Sequence, residues 1–235
     1  MNQIKQIYDI LLQEFGPQGW WPIVNGKTLL CEYHVSAPRN EKEALEICFG
    51  SLLAQNTSWK NAEKAMVNLK KENLINVKKI IETKDKKLAQ IIRPSGYHNQ
   101  KAKKLKNFCE FLLKNYDGKL GLFFKNRLLE LRKQLLSING IGPETADSII
   151  LYSAKKPIFV VDAYTKRIFS RLGYMEKTYD EFQRLFMQSP PNSEKLFNEY
   201  HALMVELGKN VCKKEPLCEK CPLNAYCDYH KKRME

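Results

Sequence analysis

The chain has 235 residues, 43% of them hydrophobic and 28% charged, which is typical of a globular protein and excludes a disordered or fibrous one. Its 39 Lys and Arg residues outnumber its 26 Asp and Glu residues, and the net charge of +13 favours a polyanionic partner such as nucleic acid over a surface that is merely well solvated. No apolar run approaches the roughly 20 residues of a membrane span, and the N-terminus lacks a signal peptide, so we expect a cytoplasmic protein with reduced thiols.

The predicted elements, taken in chain order, are almost all helices. Residues 1–15 predict a short amphipathic helix. Apolar residues then recur every three or four positions between 41 and 136, which predicts a stack of amphipathic helices with a break near Pro94. The one extended stretch, "PIFVVD", is too short and isolated to imply a sheet, and two more helices follow it. The fold class is therefore all-α.

Four cysteines lie within the sixteen residues "CKKEPLCEKCPLNAYC", with the spacing C-x5-C-x2-C-x5-C. They are Cys212, Cys218, Cys221 and Cys227. Disulfides are not expected where thiols stay reduced, so the spacing predicts a thiolate site for a metal. A single compact loop favours a [4Fe–4S] cluster over zinc, because structural zinc sites usually combine two separated C-x2-C pairs. Zinc stays the alternative cofactor.

A second motif, "INGIGPETADSIILY", follows the predicted helix "NRLLELRKQLLS" and gives the order helix, tight turn, helix. Gly140 and Gly142 allow a close approach of a ligand to the backbone, and Pro143 suits the first position of the next helix. Backbone N–H groups at such a turn can bind a phosphate whatever the base sequence. By itself the turn is equally compatible with a helix corner that binds nothing.

Three separated features occur together: this hairpin, an aspartate about twenty residues further on at the end of "IFVVD", and the four-cysteine loop. With "LLAQNT" near residue 55, they resemble the helix-hairpin-helix superfamily of DNA glycosylases, in particular its endonuclease III branch, over nearly the whole chain. The first cysteine gap is a small departure, because the branch commonly has six residues there and this chain has five. The resemblance implies a monomeric repair enzyme that acts on double-stranded DNA with a flipped, damaged base.

The resemblance also implies a set of DNA-binding residues. Gln55 is expected to fill the gap that the extruded nucleotide leaves in the duplex; its alternative role is a polar residue that caps the turn after "FGSLLA". The residues expected to contact DNA elsewhere are Asn139, Gly140, Gly142, Thr145 and Lys209.

Bifunctional members of the branch carry a lysine two residues after the second hairpin glycine, and its amine attacks the sugar C1′ and leads to strand cleavage. Here Glu144 stands at that position and has no amine. The resemblance therefore implies a monofunctional enzyme that releases a base and leaves an abasic site. The alternative interpretation of Glu144 is an acidic residue that the helix dipole stabilises in a first turn.

Asp162 corresponds to the catalytic carboxylate of the family, whose negative charge stabilises the oxocarbenium-like sugar that forms as the base departs. It also stands immediately before the predicted helix "AYTKRIFSRLG", where a helix N-cap is expected. The two roles are compatible.

The segments "WWP", "LLAQNT", "RPSGYHNQKAKKL" and "INGIGPETAD" look like the 3-methyladenine DNA glycosylase III group, in which tandem tryptophans and the aromatic residue after "QNT" line the base pocket. An aromatic cage favours a cation, and purines alkylated at N3 or N7 are cationic. The predicted substrates are therefore alkylated purines such as 3-methyladenine; core packing is the alternative role of the tryptophans. The predicted pocket residues are Trp20, Trp21, Pro22, Trp59 and Glu144.

That group has a lysine on the long C-terminal helix, whereas "EYHALMVELG" offers Leu203 or Met204 here, with His201 nearby in a polar role. Two other functions stay open: an endonuclease III-like glycosylase for oxidised or mismatched bases, with or without lyase activity, and a non-catalytic protein that binds damaged DNA. The expected architecture has two domains. Residues 30–154 form a six-helix domain that carries the hairpin, residues 1–29 and 155–235 form a second helical domain with the cysteine loop, and the active site is expected in the groove between them.

Overall fold

The structure is a computed structural model that describes residues 3–34, 36–189 and 191–234. The chain divides into two compact units. Residues 21–156 form the first, here called the helical-hairpin unit, and residues 1–20 with 157–235 form the second, here called the cysteine unit. The units divide after residues 20 and 156, whereas the sequence-based prediction placed the divisions at 29/30 and 154/155; a short β-ladder that begins at residue 23 packs against helices of the helical-hairpin unit.

The helical-hairpin unit holds eight α-helices among its described residues, more than the six expected. Four of them have only four to seven residues, too few to leave a clear hydrophobic period in the sequence. The helices are α2 (Glu41–Leu53), α3 (Trp59–Lys71), α4 (Val77–Glu82), α5 (Asp85–Ile91), α6 (His98–Tyr116), α7 (Leu120–Phe123), α8 (Leu128–Ser137) and α9 (Pro143–Ser148). A 3₁₀ turn (Arg93–Ser95) precedes α6, and a π-helical turn (Ile149–Ser153) continues α9.

Helix α2 is the central helix of this unit, because its residues 43–53 are all buried. The side chain of Asn40 caps its N-terminus by accepting the N–H of Glu43 at 3.0 Å. One interior carboxylate, Glu46, accepts the N–H of Val24 at 2.7 Å and pairs with Lys70. Burial raises the pKa of Glu46, and the charge of Lys70 opposes that rise.

A two-stranded antiparallel ladder precedes α2, with β1 (Ile23–Val24) paired to β2 (Cys31–Glu32). The sequence did not predict it, since two residues per strand leave no alternation to detect. The ladder matters for the site, because it links the "WWP" segment to the rest of the helical-hairpin unit.

The cysteine unit contains α1 (Gln3–Phe15), α10 (Ala163–Leu172), α11 (Tyr179–Met187), α12 (Glu194–Asn210) and α13 (Asp228–Met234). Its core is aromatic: the rings of Phe159 and Phe186 stack at 3.6 Å, and Tyr200 packs edge-on against both. The hydroxyl of Tyr200 donates to the carbonyl of Ile4 at 2.9 Å, which ties α12 to α1. The segment 157–162 is buried over 158–162 and, as predicted, forms no sheet.

The all-α class predicted from the sequence is confirmed. None of the helices in the described ranges is both long enough and apolar enough to cross a bilayer.

Candidate active site

The helix, turn and helix predicted around the two glycines are present between α8 and α9. The N–H of Ile141 donates to the carbonyl of Ile138 at 3.1 Å and closes the turn. Asn139 and Gly142 are exposed at its surface. Exposed turn residues of this kind are available to a phosphate group.

Gly140 and Gly142 differ in why they are glycine. Gly140 has φ +99°, and a Cβ there would lie 2.4 Å from Cγ of Lys104, so both conformation and space demand glycine. Gly142 has φ −96° and nothing within 4 Å of its would-be Cβ. The fold therefore requires only the first glycine, whereas the second leaves room over the start of α9.

Gln55 is hydrogen-bonded to the hairpin. Its amide nitrogen donates to the carbonyl of Gly140 at 3.1 Å and to the hydroxyl of Thr145 at 2.8 Å, and its amide oxygen accepts from Lys104. Three of the predicted DNA-binding residues therefore meet in one network of the helical-hairpin unit. Lys104, which lies in the segment "RPSGYHNQKAKKL" and was not singled out from the sequence, completes it.

A buried ion pair braces the two helices of the hairpin. Arg132 of α8 donates from Nε and Nη2 to the two carboxylate oxygens of Asp147 of α9, at 2.8 and 3.2 Å. The side chain of Asp147 is completely buried. The bidentate geometry fixes the relative orientation of α8 and α9.

Glu144 lies exposed in the first turn of α9. A carboxylate there is stabilised by the positive end of the helix dipole, as the alternative interpretation holds. The geometry is equally compatible with a functional role, since an exposed side chain can reach a ligand.

The tryptophans of the helical-hairpin unit form an aromatic cluster. The rings of Trp21 and Trp59 meet edge to face at 5.1 Å, and Trp21 meets Tyr152 of the π-helical turn at the same distance. Trp21 is 7% exposed and covers Gly50 of α2, where a Cβ would come within 3.1 Å of the indole. Trp21 is therefore a core residue as well as a candidate pocket residue, while Trp59 is half-buried.

Two members of this cluster, Tyr33 and Tyr152, were not predicted from the sequence. The indole Nε1 of Trp59 donates to the Tyr33 hydroxyl at 2.9 Å, and Tyr33 is 38% exposed. No local pattern marks Tyr33, because its partner lies 26 residues further along the chain. Of the remaining pocket candidates, Pro22 is buried in the helical-hairpin unit, and Trp20 is half-buried in the cysteine unit.

Asp162 lies at the N-cap of α10 in the cysteine unit. Its Oδ1 accepts the backbone N–H of Thr165 at 2.7 Å and the Thr165 hydroxyl at 2.9 Å. Its Oδ2 lies 3.7 Å from Nε2 of His201 on α12. Burial lowers the pKa of His201, and the negative charge of Asp162 opposes that effect.

The cysteine loop follows α12, which ends with Lys209 exposed in its last turn. One pocket is lined by all four cysteines of the predicted metal site, Cys212, Cys218, Cys221 and Cys227. Burial raises the pKa of the Cys221 thiol to about 11. Among the described residues, no group of three or more His, Cys, Asp or Glu side chains is placed to hold a metal ion.

Two arginines of α10 hold the start of this loop. Arg167 donates to the carbonyls of Gly208 and Cys212 at 2.7 and 2.9 Å. Arg171 donates to Sγ of Cys212 at 3.3 Å and to the carbonyl of Lys213 at 2.6 Å. The helix that begins after Asp162 therefore also anchors the cysteine loop.

The model of the family "HhH-GPD superfamily base excision DNA repair protein" matches residues 49–191, more than half of the chain. The chain belongs to this superfamily. The chain is therefore a DNA N-glycosylase, an enzyme of base excision repair. The matched range contains the hairpin, Gln55 and Asp162.

The chain is 43% identical to a protein of Methanocaldococcus jannaschii whose name assigns it provisionally to the DNA repair glycosylases. The match extends over 230 residues and covers 96% of each chain. The chain is also 30% identical over 200 residues to endonuclease III of Thermotoga maritima, and this match covers 83% of this chain and 89% of the relative.

Solved structures show the same fold. The H. pylori 3-methyladenine DNA glycosylase bound to 1,N6-ethenoadenine has a TM-score of 0.71 and 29% identity, over 89% of this chain and 98% of that one. A non-covalent complex of endonuclease III with DNA has a TM-score of 0.76 and 24% identity, over 99% of this chain and 97% of that one.

Proposed function

We propose that this protein is a monofunctional glycosylase that hydrolyses the N-glycosidic bond of alkylated purines, such as 3-methyladenine, in double-stranded DNA. The observation that carries this proposal is Glu144, which lies exposed in the first turn of α9 where bifunctional members carry a lysine. A carboxylate cannot form the Schiff base that leads to strand cleavage. The product is therefore an abasic site in an unbroken strand.

Asp162 is the proposed catalytic carboxylate. Departure of a base leaves positive charge on the sugar ring, and a carboxylate fixed in a site of low dielectric stabilises that charge more than water does. Thr165 holds one oxygen of Asp162 with two hydrogen bonds, which preorganises the group for this role. The same carboxylate can orient the water that attacks C1′.

The aromatic cluster supports a cationic base as substrate. The faces of Trp21, Trp59 and Tyr33 attract positive charge, and a purine alkylated at N3 or N7 carries such a charge and leaves without prior protonation. The 29% identity to the H. pylori 3-methyladenine glycosylase supports the same substrate class. Trp20, Pro22 and Glu144 complete the proposed pocket.

DNA is proposed to bind to a monomer of the protein through the hairpin turn and the lysine before the cysteine loop. Asn139 and Gly142 are exposed, as a phosphate contact needs, and Lys209 is exposed at the end of α12. The hydrogen bonds of Gln55 to Gly140 and Thr145 keep its amide beside the turn, from which we propose that it enters the duplex.

We further propose that Cys212, Cys218, Cys221 and Cys227 hold a [4Fe–4S] cluster rather than zinc. All four cysteines line one pocket, as the ligands of one bound group would. They come from a single compact loop, which suits such a cluster, whereas structural zinc sites usually combine two separated C-x2-C pairs. When bound, the cluster supplies a cross-link among four points of the loop.

Iron and sulfide analysis of the purified protein, with its visible absorption spectrum, tests the cluster. The Cys218→Ala variant should lose the iron, and the Cys109→Ala variant, altered at a buried cysteine outside the loop, should keep it. Stoichiometric zinc without iron would contradict the assignment.

The monofunctional chemistry is tested on duplex DNA that carries one damaged base, by comparing strand breaks with and without alkali. The wild-type enzyme should break strands only after alkali and should give no adduct when borohydride is present to reduce a Schiff base. The Glu144→Lys variant places an amine at this position and provides the matched control for trapping. A borohydride adduct of the wild type would show lyase chemistry.

Glu144 is tested separately as a determinant of charge preference. The Glu144→Gln variant should excise a cationic base such as 7-methylguanine more slowly, while excision of neutral 1,N6-ethenoadenine changes little. Equal losses on the two bases would remove Glu144 from base recognition.

An endonuclease III-like activity is the second candidate, and the 30% identity to the Thermotoga maritima enzyme supports it. This candidate predicts release of oxidised or mismatched bases and no release of methylated purines.

A further inference from the structure

The two oxygens of Asp162 have different surroundings. Oδ1 accepts two hydrogen bonds from Thr165, one from the backbone at 2.7 Å and one from the hydroxyl at 2.9 Å. Oδ2 is directed at a different element, α12, where His201 approaches with Nε2 at 3.7 Å. Helix capping therefore accounts for one oxygen of this carboxylate and leaves the second oxygen, and the histidine beside it, unexplained.

The pair is enclosed. The side chains of Asp162 and His201 are only 11% and 12% exposed, so little water screens their interaction. Asp162 caps α10 and His201 lies on α12. These two helices pack against each other, and α12 is fixed further by the buried Tyr200 next to His201. Thr165 holds only Oδ1 of the carboxylate. A second rigid group beside Oδ2 further restricts rotation of the carboxylate about χ2.

We propose that His201 is a positioning residue for Asp162: it fixes the orientation of Oδ2, the oxygen that faces the sugar and the attacking water during base release. The inference rests on the proposed catalytic role of Asp162. The distance of 3.7 Å exceeds a hydrogen bond, and contacts of catalytic groups are commonly long before the substrate complex forms. Closing it needs only a small rotation of either side chain.

The charge state of His201 fits this role. Burial lowers the pKa of the imidazole, which keeps it neutral near pH 7, and Asp162 is the charged group whose field acts against that shift. A neutral partner orients the carboxylate while leaving its negative charge available to the sugar cation. A lysine or arginine at the same place would neutralise much of that charge.

The first test measures the juxtaposition without any substrate. In the full-length protein with 13C-labelled histidine, His201 is assigned by the loss of its signal in His201→Gln and titrated by NMR. The Asp162→Asn variant should lower the pKa of His201, because the opposing negative charge is gone. An unchanged pKa would overturn the inference.

The second test measures single-turnover base release at saturating enzyme, with affinity for DNA that carries a non-cleavable abasic analogue as the control. His201→Phe, which keeps bulk and removes the nitrogen, should lower the rate by about tenfold or more with unchanged affinity. His201→Gln, whose amide nitrogen reaches a similar point, should restore most of the rate. Equal rates for His201→Phe and the wild type, or no rescue by His201→Gln in a folded variant, would refute the proposal.

The experiment separates this inference from the proposed function. A panel of duplexes that carry methylated purines, oxidised pyrimidines or mismatches is offered first to the wild-type enzyme, and its best substrate is used for the variants. Failure to release methylpurines refutes the proposed substrate class, whereas the effects of Asp162→Asn and His201→Phe on that best substrate decide the positioning role.

Discussion

At the scale of single residues, the two glycines of the turn meet different demands. Gly140 has a positive φ and lies against the stem of Lys104, whereas Gly142 has an ordinary φ and open space beside it. A sequence pattern marks both glycines alike. The physical reason for each is visible only once the neighbouring helix α6 is in place.

Gly140→Ala is expected to destabilise the protein by about 1–3 kcal/mol, because the new Cβ is strained at φ +99° and meets Lys104. Gly142→Ala is the matched control and should cost less, about 0.5–1 kcal/mol, because Gly142 has open space beside it and loses only the preference for glycine over alanine at a helix N-cap. Urea unfolding of the two variants compares them directly. Equal destabilisation would show that the turn is not held as described.

Asp147 is a second residue whose role depends on a distant partner. Asp147→Asn should lower the free energy of unfolding by about 2–3 kcal/mol, because Arg132 loses the charge that offsets its partial burial. Asp85→Asn, which removes an ion pair of a carboxylate that is 65% exposed, should cost much less, because water and salt screen that pair. Thermal and urea unfolding measure both, and similar losses would contradict the bracing role of Asp147.

At the scale of elements, helix α6 shows what the sequence predicts and what it leaves out. The three-and-four period identified Ala102, Leu105, Phe108, Cys109 and Leu112 as its apolar face, and all five are buried. The same helix buries Lys101, which donates to the carbonyls of Leu53 and Ser95 at 2.8 and 2.6 Å. An analysis of hydrophobic periodicity counts every lysine as polar, so the interior position of Lys101 could not be predicted.

Lys101 should make stability depend on pH in an identifiable window. Burial lowers its pKa to about 8 in the folded protein, against 10.5 ordinarily. Between these values the unfolded chain binds more protons, so the free energy of unfolding rises with pH there. The advantage of the wild type over Lys101→Met should therefore grow by about 2 kcal/mol from pH 7.5 to 9.5.

Urea unfolding at the two pH values measures this change. Lys103→Met, at an exposed lysine on the same helix, is the matched control for the exchange of lysine for methionine. A wild-type advantage that stays constant or shrinks with pH would contradict a buried, proton-releasing Lys101.

The aromatic cluster is the part of the candidate site that sequence predicted least well. Trp21 and Trp59 were predicted as pocket residues, but their neighbours Tyr33 and Tyr152 were not. Tyr152 reaches Trp21 from a π-helical turn, and Tyr33 follows a two-residue strand. Both depend on irregular backbone and long-range packing, which leave no local period in the chain.

At the scale of the whole molecule, the net charge of +13 is the property that bears most directly on DNA binding. Three motifs between residues 137 and 227 identified the family correctly, because the hairpin, Asp162 and the cysteine spacing each leave a short local signature. The excess of positive charge complements the negative charge of the DNA backbone. Affinity for DNA should therefore fall steeply with salt concentration.

Lys209 should contribute one ionic contact to that dependence. Lys209→Ala is expected to reduce the slope of log K against log salt by about one unit and to weaken all DNA sequences alike. Lys195→Ala, exposed near the other end of α12, is the control and should leave the slope unchanged. Fluorescence anisotropy with undamaged duplex DNA measures both; an unchanged slope for Lys209→Ala would remove this contact.

The most direct test of the proposed function is mass spectrometry of the bases that the wild-type enzyme and Asp162→Asn release from methylated and from oxidised duplex DNA. We predict that the wild type releases 3-methyladenine and little or no oxidised base. Asp162→Asn should release 3-methyladenine much more slowly than the wild type. Release of oxidised pyrimidines with no methylpurine, or full activity of Asp162→Asn, would contradict the proposed function.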